Sequence, residues 1–444
     1  MNRKDCIQAI QDKLGNRRLV YFGTRGADAE TLLEIDQFRT AFSQIAPLHA
    51  ISVKETCLER LTLERVDLNR YNIDYDERAE ISKMREGLLE AFNTRAAIIP
   101  YRPSALVASA WFPRSDRVLF LSVFHEKQSF FEHKPWVESE LKSIGIRTLP
   151  WKYYCDTESR IIKESAEKSL LVLRANRSDG GSGLSLIYGP QEVDDKCPKH
   201  TDGFIAVCPL LSPCVPTNIN ACIFPGGRVS FHPASFQIIG PANCTTRTFG
   251  YCGNDFAAIK ELDGEFLDQM QVMTIKVGNW MYRNGYLGAF GIDFLIYEGE
   301  LYLTEVNPRF QGSSLISALI DRELGRPDIY MDHIAAFLGI EGGEEIELRS
   351  LTAEQPLMAH VICHNTLGEP THVKSTDIST LTVRCRLVPQ NDVRILEEAI
   401  IFEAVFENAV TQNGMDLFSD ISRQISLIAE NLCGTYGRPT QQAS

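Results

Sequence analysis

The chain has 444 residues, 44% of them hydrophobic and 23% charged, with a formal net charge of −13. That length predicts about three structural units around sizeable cores. The acidic balance argues against a nucleic-acid or anionic-membrane partner, since either demands a positive surface, and no apolar run is long enough to span a bilayer. The N-terminal "MNRKDCIQAIQDKLG" lacks the apolar core of a signal peptide, so a cytoplasmic location is expected. The 12 cysteines include no C-x-x-C, and buried, inert thiols are expected of them rather than metal ligands.

The first predicted unit opens with a helical pattern, then an apolar strand Leu19 to Phe22 that reaches Gly23 and Gly26 before a helix. The lone Gly-x-x-Gly predicts a tight turn, because the full dinucleotide fingerprint is missing. Strand-like runs follow at "LHAISV", "RAAIIPY", "ALVASAWF" and "VLFLSVF", with a charged helix near 75–92. In "EHKPWVESELKSIGI", Pro135 suits a first helical turn and Gly145 a helix end. Lys134 then sits at the positive end of the helix, as an anion ligand or as a solvated lysine.

In "SLLVLRANRSDGGSGLSLIY", a strand leads through Arg174 into the loop Ser178, Gly180, Gly181, Ser182, Gly183, and a second strand starts at Leu184. Glycines there leave backbone N–H groups open to phosphate oxygens, although the same composition suits a flexible connection. "DGFIAVCPLLSP" reads as a strand entering a proline-bounded linker, and "NINACIFPGGRVSFHPASFQIIG" as two strands around Gly226–Gly227 and then a third. A helix follows with Met270, Val277, Trp280 and Met281 on its core face. Further strands are expected at "PLMAHVICH" and "TLTVRCRLV", and an amphipathic helix near "DLFSDISRQISLIAENL". His232 and His360 read as structural histidines.

"GIDFLIYEGELYLTEVNPRF" is the most informative stretch. It predicts a hairpin around Gly299 with Asp293 opposite Glu305, and with Asn307 and Arg309 further along the face of Glu305. Opposed carboxylates repel unless a cation or shared proton lies between them. Two carboxylates and an amide oxygen are hard ligands suited to Mg²⁺ carrying substrate phosphates, and Arg309 can grip a phosphate or carboxylate with two parallel bonds. The bland alternative is a Glu305–Arg309 surface ion pair. The apolar flanks Phe290, Ile292, Phe294, Leu301, Leu303 and Val306 argue for burial instead.

This motif resembles the closing motif of ATP-grasp enzymes, an acid followed twelve residues later by an E-x-N-x-R strand, and the resemblance covers about residues 126–325. It implies an α/β (α+β) fold with an N-terminal Rossmann-like unit at 1–125, ATP-grasp subdomains at 126–205 and 206–342, and a C-terminal α+β extension at 343–444. It further implies ATP and Mg²⁺ as cofactors, with two ions and Mn²⁺ as a substitute, held by Asp293, Glu305 and Asn307. Lys134 and Arg174 would contact phosphates under the loop 178–183. Backbone groups from Val207 to Leu210, those of Val207, Cys208 and Leu210 among them, would form the adenine hinge, and Arg309 and Arg174 would serve the transferred group. Arg174 stands where the family has a lysine, and the hinge lacks the family's frequent glutamate. The N-terminal "VYFGTRGADAETLLEIDQF" and overall size look most like the pheganomycin-type peptide-ligase branch. The implied activity joins a small-molecule carboxylate to an amine, such as an amino acid or peptide, through an acylphosphate, releasing ADP and phosphate. An acid–thiol ligase, a kinase-like phosphotransferase and a non-catalytic nucleotide-binding module are the alternatives, and a homo-oligomer is left open.

Overall fold

The computed structural model describes all residues except 177–179, 198–202, 343–344, 375–382 and 435–444. A first sheet holds five parallel strands in the order Lys54–Cys57, Phe38–Ile45, Arg18–Arg25, Ala96–Pro100, Val118–Phe120. Its central strands, Arg18–Arg25 and Ala96–Pro100, are apolar on both faces, as a parallel sheet covered on both sides requires. Two cores flank it, one built on Leu19, Tyr21 and Phe38, the other on Val20, Phe22 and Phe42.

Three local expectations are corrected here. The turn at Gly26 opens a 3₁₀ stretch, Gly26–Glu34, rather than an α-helix. "LHAISV" is mostly loop, and the strand lies just beyond it at Lys54–Cys57. "ALVASAWF" forms a helix, Ala105–Trp111, not a strand. Asp74, thirty residues upstream, takes hydrogen bonds from the Ser104 hydroxyl (2.6 Å) and the N–H groups of Ala105 (3.0 Å) and Leu106 (2.9 Å). A remote carboxylate thus satisfies the orphan donors of the helix start.

A small antiparallel sheet follows, ordered Lys152–Cys155, Phe204–Pro209, Leu171–Arg174, Leu184–Ile187. The boundary expected at 205/206 therefore falls inside a strand. The third sheet has eight antiparallel strands: Glu300–Asn307, Gly288–Tyr297, Val215–Ile223, Val229–Ile239, Tyr251–Asp255, Ala359–His364, Ile400–Phe406 and Arg384–Arg386. "VSFHPASFQII" is one strand rather than two, because a register shift between Ile219 and Ala221 of its partner accommodates Pro233. The last three strands of this sheet lie beyond residue 343, so the expected 342/343 boundary divides one sheet. A fourth, three-stranded sheet pairs Arg394–Ile395 with Thr371–His372 and with Glu64–Arg65. The C-terminal residues are thereby tied to both the first unit and the large sheet.

The helix Gly264–Arg283 packs Met270, Val277, Trp280 and Met281 on the large sheet as expected. All twelve cysteines are free thiols. No helix among the described residues is long and apolar enough to cross a membrane.

Candidate active site

The hairpin joins Tyr297 to Glu300 through Glu298 (φ 50°) and Gly299 (φ 75°), the two positive φ values of a tight type I′ turn. Regular pairing from that turn would place Thr304 opposite Asp293. A bulge at Thr304 shifts the ladder by one residue and sets Glu305 opposite Asp293. The facing carboxylates thus depend on a two-residue turn and a bulge together. The outer edge of the hairpin is covered, since the Leu303 N–H donates to the Arg147 carbonyl (2.9 Å).

Asp293 is held from behind by amides. Asn218 Nδ2 donates to one of its oxygens (2.6 Å) and Asn307 Nδ2 to the other (3.1 Å). Asn218 is itself fixed by Gln311 Oε1 (2.9 Å) and by the Ser313 hydroxyl (2.9 Å). Burial, then the facing Glu305, push the Asp293 carboxyl up to about 6, against the pull of Asn218, Asn307 and Arg309. Lys134, first residue of the helix Lys134–Ser143, places Nζ 2.6 Å from Glu305 Oε1. The chain therefore neutralises Glu305 with its own ammonium, while Asp293 is met only by amides and the more distant guanidinium of Arg309.

These groups line one cleft of about 420 Å³ among the three sheets. Asp293, Glu305, Asn307, Arg309, Lys134, Arg174, Gly180, Gly181, Cys208 and Leu210 all reach it. Gly181, at φ 75°, brings the loop against the large sheet: a Cβ there would lie 1.9 Å from the Phe249 carbonyl oxygen. The Ser182 hydroxyl instead donates to the Asn69 carbonyl (3.4 Å), and the Gly183 carbonyl accepts from Ala175 (2.9 Å), so neither lines the cleft. Ser178 lies outside the described residues.

The expected hinge rests on backbone groups, and the geometry adds detail at two of its residues. Strand alternation turns Cys208 and Ala206 toward the cleft with Trp151 and Leu149, and sends Val207 into the opposite core with Leu173 and Ile205. The Leu210 N–H is already donated to the Leu170 carbonyl (2.9 Å), so its backbone donor is spent within the sheet. Arg174 has partners the sequence did not reveal. It pairs with Glu138 (2.7 Å), both side chains being 5% exposed, and stacks over Trp151 at 4.2 Å. Tyr153, which donates to Glu138, also accepts from Arg174 at 3.3 Å. Arg309 stands 3.7 Å from Glu132 and donates to its neighbour's carbonyl (3.1 Å).

Sequence reasoning missed Trp151, Asn218, Gln311 and Arg25, all of which line the cleft. A signal existed for one of them: "TNINACI" alternates asparagine with apolar residues in a buried strand, and a buried amide must have a partner. The donor set fits a hard divalent cation, two carboxylate oxygens and an amide oxygen around a position short of positive charge. The described residues hold no cluster of three or more His, Cys, Asp or Glu suited to a metal, and here the third donor is an amide.

The family model described as an ATP-grasp domain matches residues 221–313, a span that holds four strands of the large sheet and both acids. The arginine-specific large chain of carbamoyl phosphate synthase from Halalkalibacterium halodurans is 22% identical over 231 residues. That match takes in 50% of this chain but only 21% of the relative, so the chain spans about a fifth of the length of that curated protein. Similar solved structures cover nearly the whole chain. A biotin carboxylase–β,γ-ATP complex from Campylobacter jejuni matches with a TM-score of 0.61 at 14% identity, covering 94% of this chain and 98% of that one. An L-amino acid ligase from Bacillus licheniformis gives 0.58 at 13% over the same shares. The N5-carboxyaminoimidazole synthetase of Staphylococcus aureus, complexed with ADP, gives 0.56 at 12%, over 94% and 96%. The chain has the ATP-grasp fold, with an ATP-grasp domain match that takes in the strands carrying Asp293 and Glu305.

Proposed function

We propose that the protein is an ATP-dependent, ADP-forming ligase that joins a small-molecule carboxylate to an amine. The observation that carries this reading is the Asp293–Glu305 pair, with Asn307 and Lys134, at the floor of a cleft large enough for a nucleotide. Similar structures include complexes with ADP and with a β,γ-ATP ligand, and one is titled an L-amino acid ligase. The pheganomycin-type resemblance of the N-terminal unit points the same way.

In this reading Asp293, Glu305 and Asn307 hold Mg²⁺, and bound Mg²⁺ and ATP supply an electrophilic phosphorus with its charge masked. The rest is done by side chains that position and neutralise. Lys134, paired with Glu305 here, would turn to a phosphate oxygen with a divalent cation bound between the carboxylates. Arg174, kept flat between Trp151 and Glu138, offers its remaining donors to the phosphates. Gly180 and Gly181 close the backbone over them and exclude water. Arg309 orients the acid, whose oxygen attacks the γ-phosphorus as ADP departs. The amine then attacks the carbonyl carbon, phosphate leaves and the new amide loses a proton. Free thiols throughout suit action in the cytoplasm.

The test is a screen for ADP release over amino acids, short peptides and simple amines, singly and in pairs. Ligation requires release that depends on both an acid and an amine, with the amide found by mass spectrometry. A phosphorylated product without an amine requirement would identify a phosphotransferase. Nucleotide binding with no turnover on any pair would identify a binding module.

A further inference from the structure

The cleft has a second half that the nucleotide chemistry leaves unused. Beyond Arg309 it is entered by Arg25, at the end of the strand Arg18–Arg25, and by Arg102, just past the strand Ala96–Pro100. Arg25 is only 4% exposed. Its Nε donates to Asp28 (3.0 Å) and one terminal nitrogen to the Gly312 carbonyl (3.1 Å), which fixes the guanidinium at the cleft wall with its other terminal nitrogen uncommitted. Between these residues stands buried Tyr101. Tyr101, Arg25, Arg102 and Arg309 all line this part of the cleft; burial raises the Tyr101 phenol to about 12, with Arg25 pulling it back, Asp28 adding to the rise, and Arg309 and Arg102 pulling it back in turn.

The acids that share this half are already spent. Asp67 is ion-paired with Arg247. Glu398 accepts from the Thr245 hydroxyl (2.7 Å) and from the N–H (2.7 Å) and hydroxyl (2.6 Å) of Thr246. Past the arginines the lining turns apolar, with Leu68, Ile239, Phe249, Ile362, Ile400 and Met415. An anion held by arginine beside an apolar wall describes one end of an amino acid. The far wall presents no uncommitted cation, because Arg247 is engaged by Asp67 and lies 3.8 Å from Glu398. A second carboxylate would find no partner there and would bear its full desolvation cost.

Resting on the ligase reading above, we propose that this half binds the amine substrate, an α-amino acid with an apolar side chain. Arg25 and Arg102 hold its spectator carboxylate, and Ile362, Ile400 and Met415 take its side chain. Its amino group then points back toward Arg309, where the activated acid lies. Bidentate guanidinium contacts set the orientation, and the apolar wall selects against acidic amino acids.

Calorimetric titration of the full chain, loaded with a non-hydrolysable Mg²⁺–ATP analogue, tests this with L-leucine, L-leucinamide, L-glutamate and bicarbonate. Leucine should bind, and leucinamide and glutamate at least about tenfold more weakly, the scale of one lost charge-assisted contact. Arg102→Gln, at a half-buried loop position, should weaken leucine by a similar factor and leave leucinamide unchanged. Equal affinity for leucine and leucinamide, preference for glutamate or bicarbonate, or no leucine binding would each overturn the proposal. The two readings fail separately. ADP release with an acid–amine pair that excludes apolar amino acids removes this subsite and keeps the ligase, whereas leucine binding without turnover on any pair keeps the subsite and removes the ligase.

Discussion

Two clusters of acids lie against the large sheet, and they are built to opposite ends. In one, His232 lies between two aspartates, with Nδ1 2.6 Å from Asp321 and Nε2 3.5 Å from Asp332. The Ser230 hydroxyl donates to Asp332 (2.7 Å), and Arg326 stands 3.6 Å from Asp321. Burial disfavours the imidazolium, yet the aspartates overcome it and raise His232 to about 9. Every charge there has its counter-charge within the fold, and the histidine is fully buried. In the other cluster Asp293 faces Glu305, and the chain supplies one ammonium for two carboxylates. A compensated acid cluster is scaffold, whereas one left short of positive charge beside a cleft is a site for a cation.

That contrast can be broken from either side, most severely first. His232→Gln leaves two buried aspartates without their cation and should cost about 3–5 kcal/mol of stability. Denaturant unfolding measures this, with ADP release per folded molecule unchanged in the cold. Glu305→Ala should do the reverse, lowering ADP release by about 10²–10³-fold, the cost of one preorganised electrostatic group, while the unfolding midpoint holds or rises as the repulsion is relieved. Full turnover in that variant would remove the assignment of Glu305 to the cation site.

The titrations of the two clusters should also separate. The folded-state value of His232 lies above its unfolded value, so its stabilisation is complete below about pH 6.5. It should be lost as pH rises through about 9, seen as a falling melting temperature. Asp293 must be ionised to hold a cation, so Mg²⁺-dependent turnover should fall as pH drops through about 6, while the Mg²⁺-free fold gains stability over the same range. The smallest effect is expected from Arg174→Lys. Charge is kept but the stack on Trp151 and the planar pairing with Glu138 are lost, which should raise KM for ATP several-fold, up to about tenfold, with kcat little changed.

The hairpin was legible because polar residues in apolar, alternating strands violate the cost of burying charge. The facing of Asp293 and Glu305 was predicted from a turn centred on Gly299, and the molecule reaches it through a tighter turn and a bulge. Lys134 was legible as the start of a helix, but its distance from Glu305 was not, since 171 residues separate them. The partners of Arg174 were hidden for the same reason, because Glu138 lies on a different element. The helix at Ala105–Trp111 was misread as a strand because its apolar run is short, and the signal of its local cap, Ser104, was passed over; the reinforcing Asp74 is distant in sequence. Val207 was assigned to the hinge through its backbone, and only the direction of its side chain, set by period-two alternation, was left unread.

The eight-stranded sheet bears on how the protein can be dissected. The strand Tyr251–Asp255 finds its outer neighbour in Ala359–His364, and that strand leads on to Ile400–Phe406. A fragment cut to residues 221–313 keeps both acids yet loses most of Val215–Ile223, the strand between the hairpin and Val229–Ile239, leaves Tyr251–Asp255 as an open edge, and removes the Lys134 that answers Glu305. Such an open edge is an invitation to pair with other chains. The hairpin is therefore not portable: any excised or grafted version must bring its sequence-distant neighbours or self-associate.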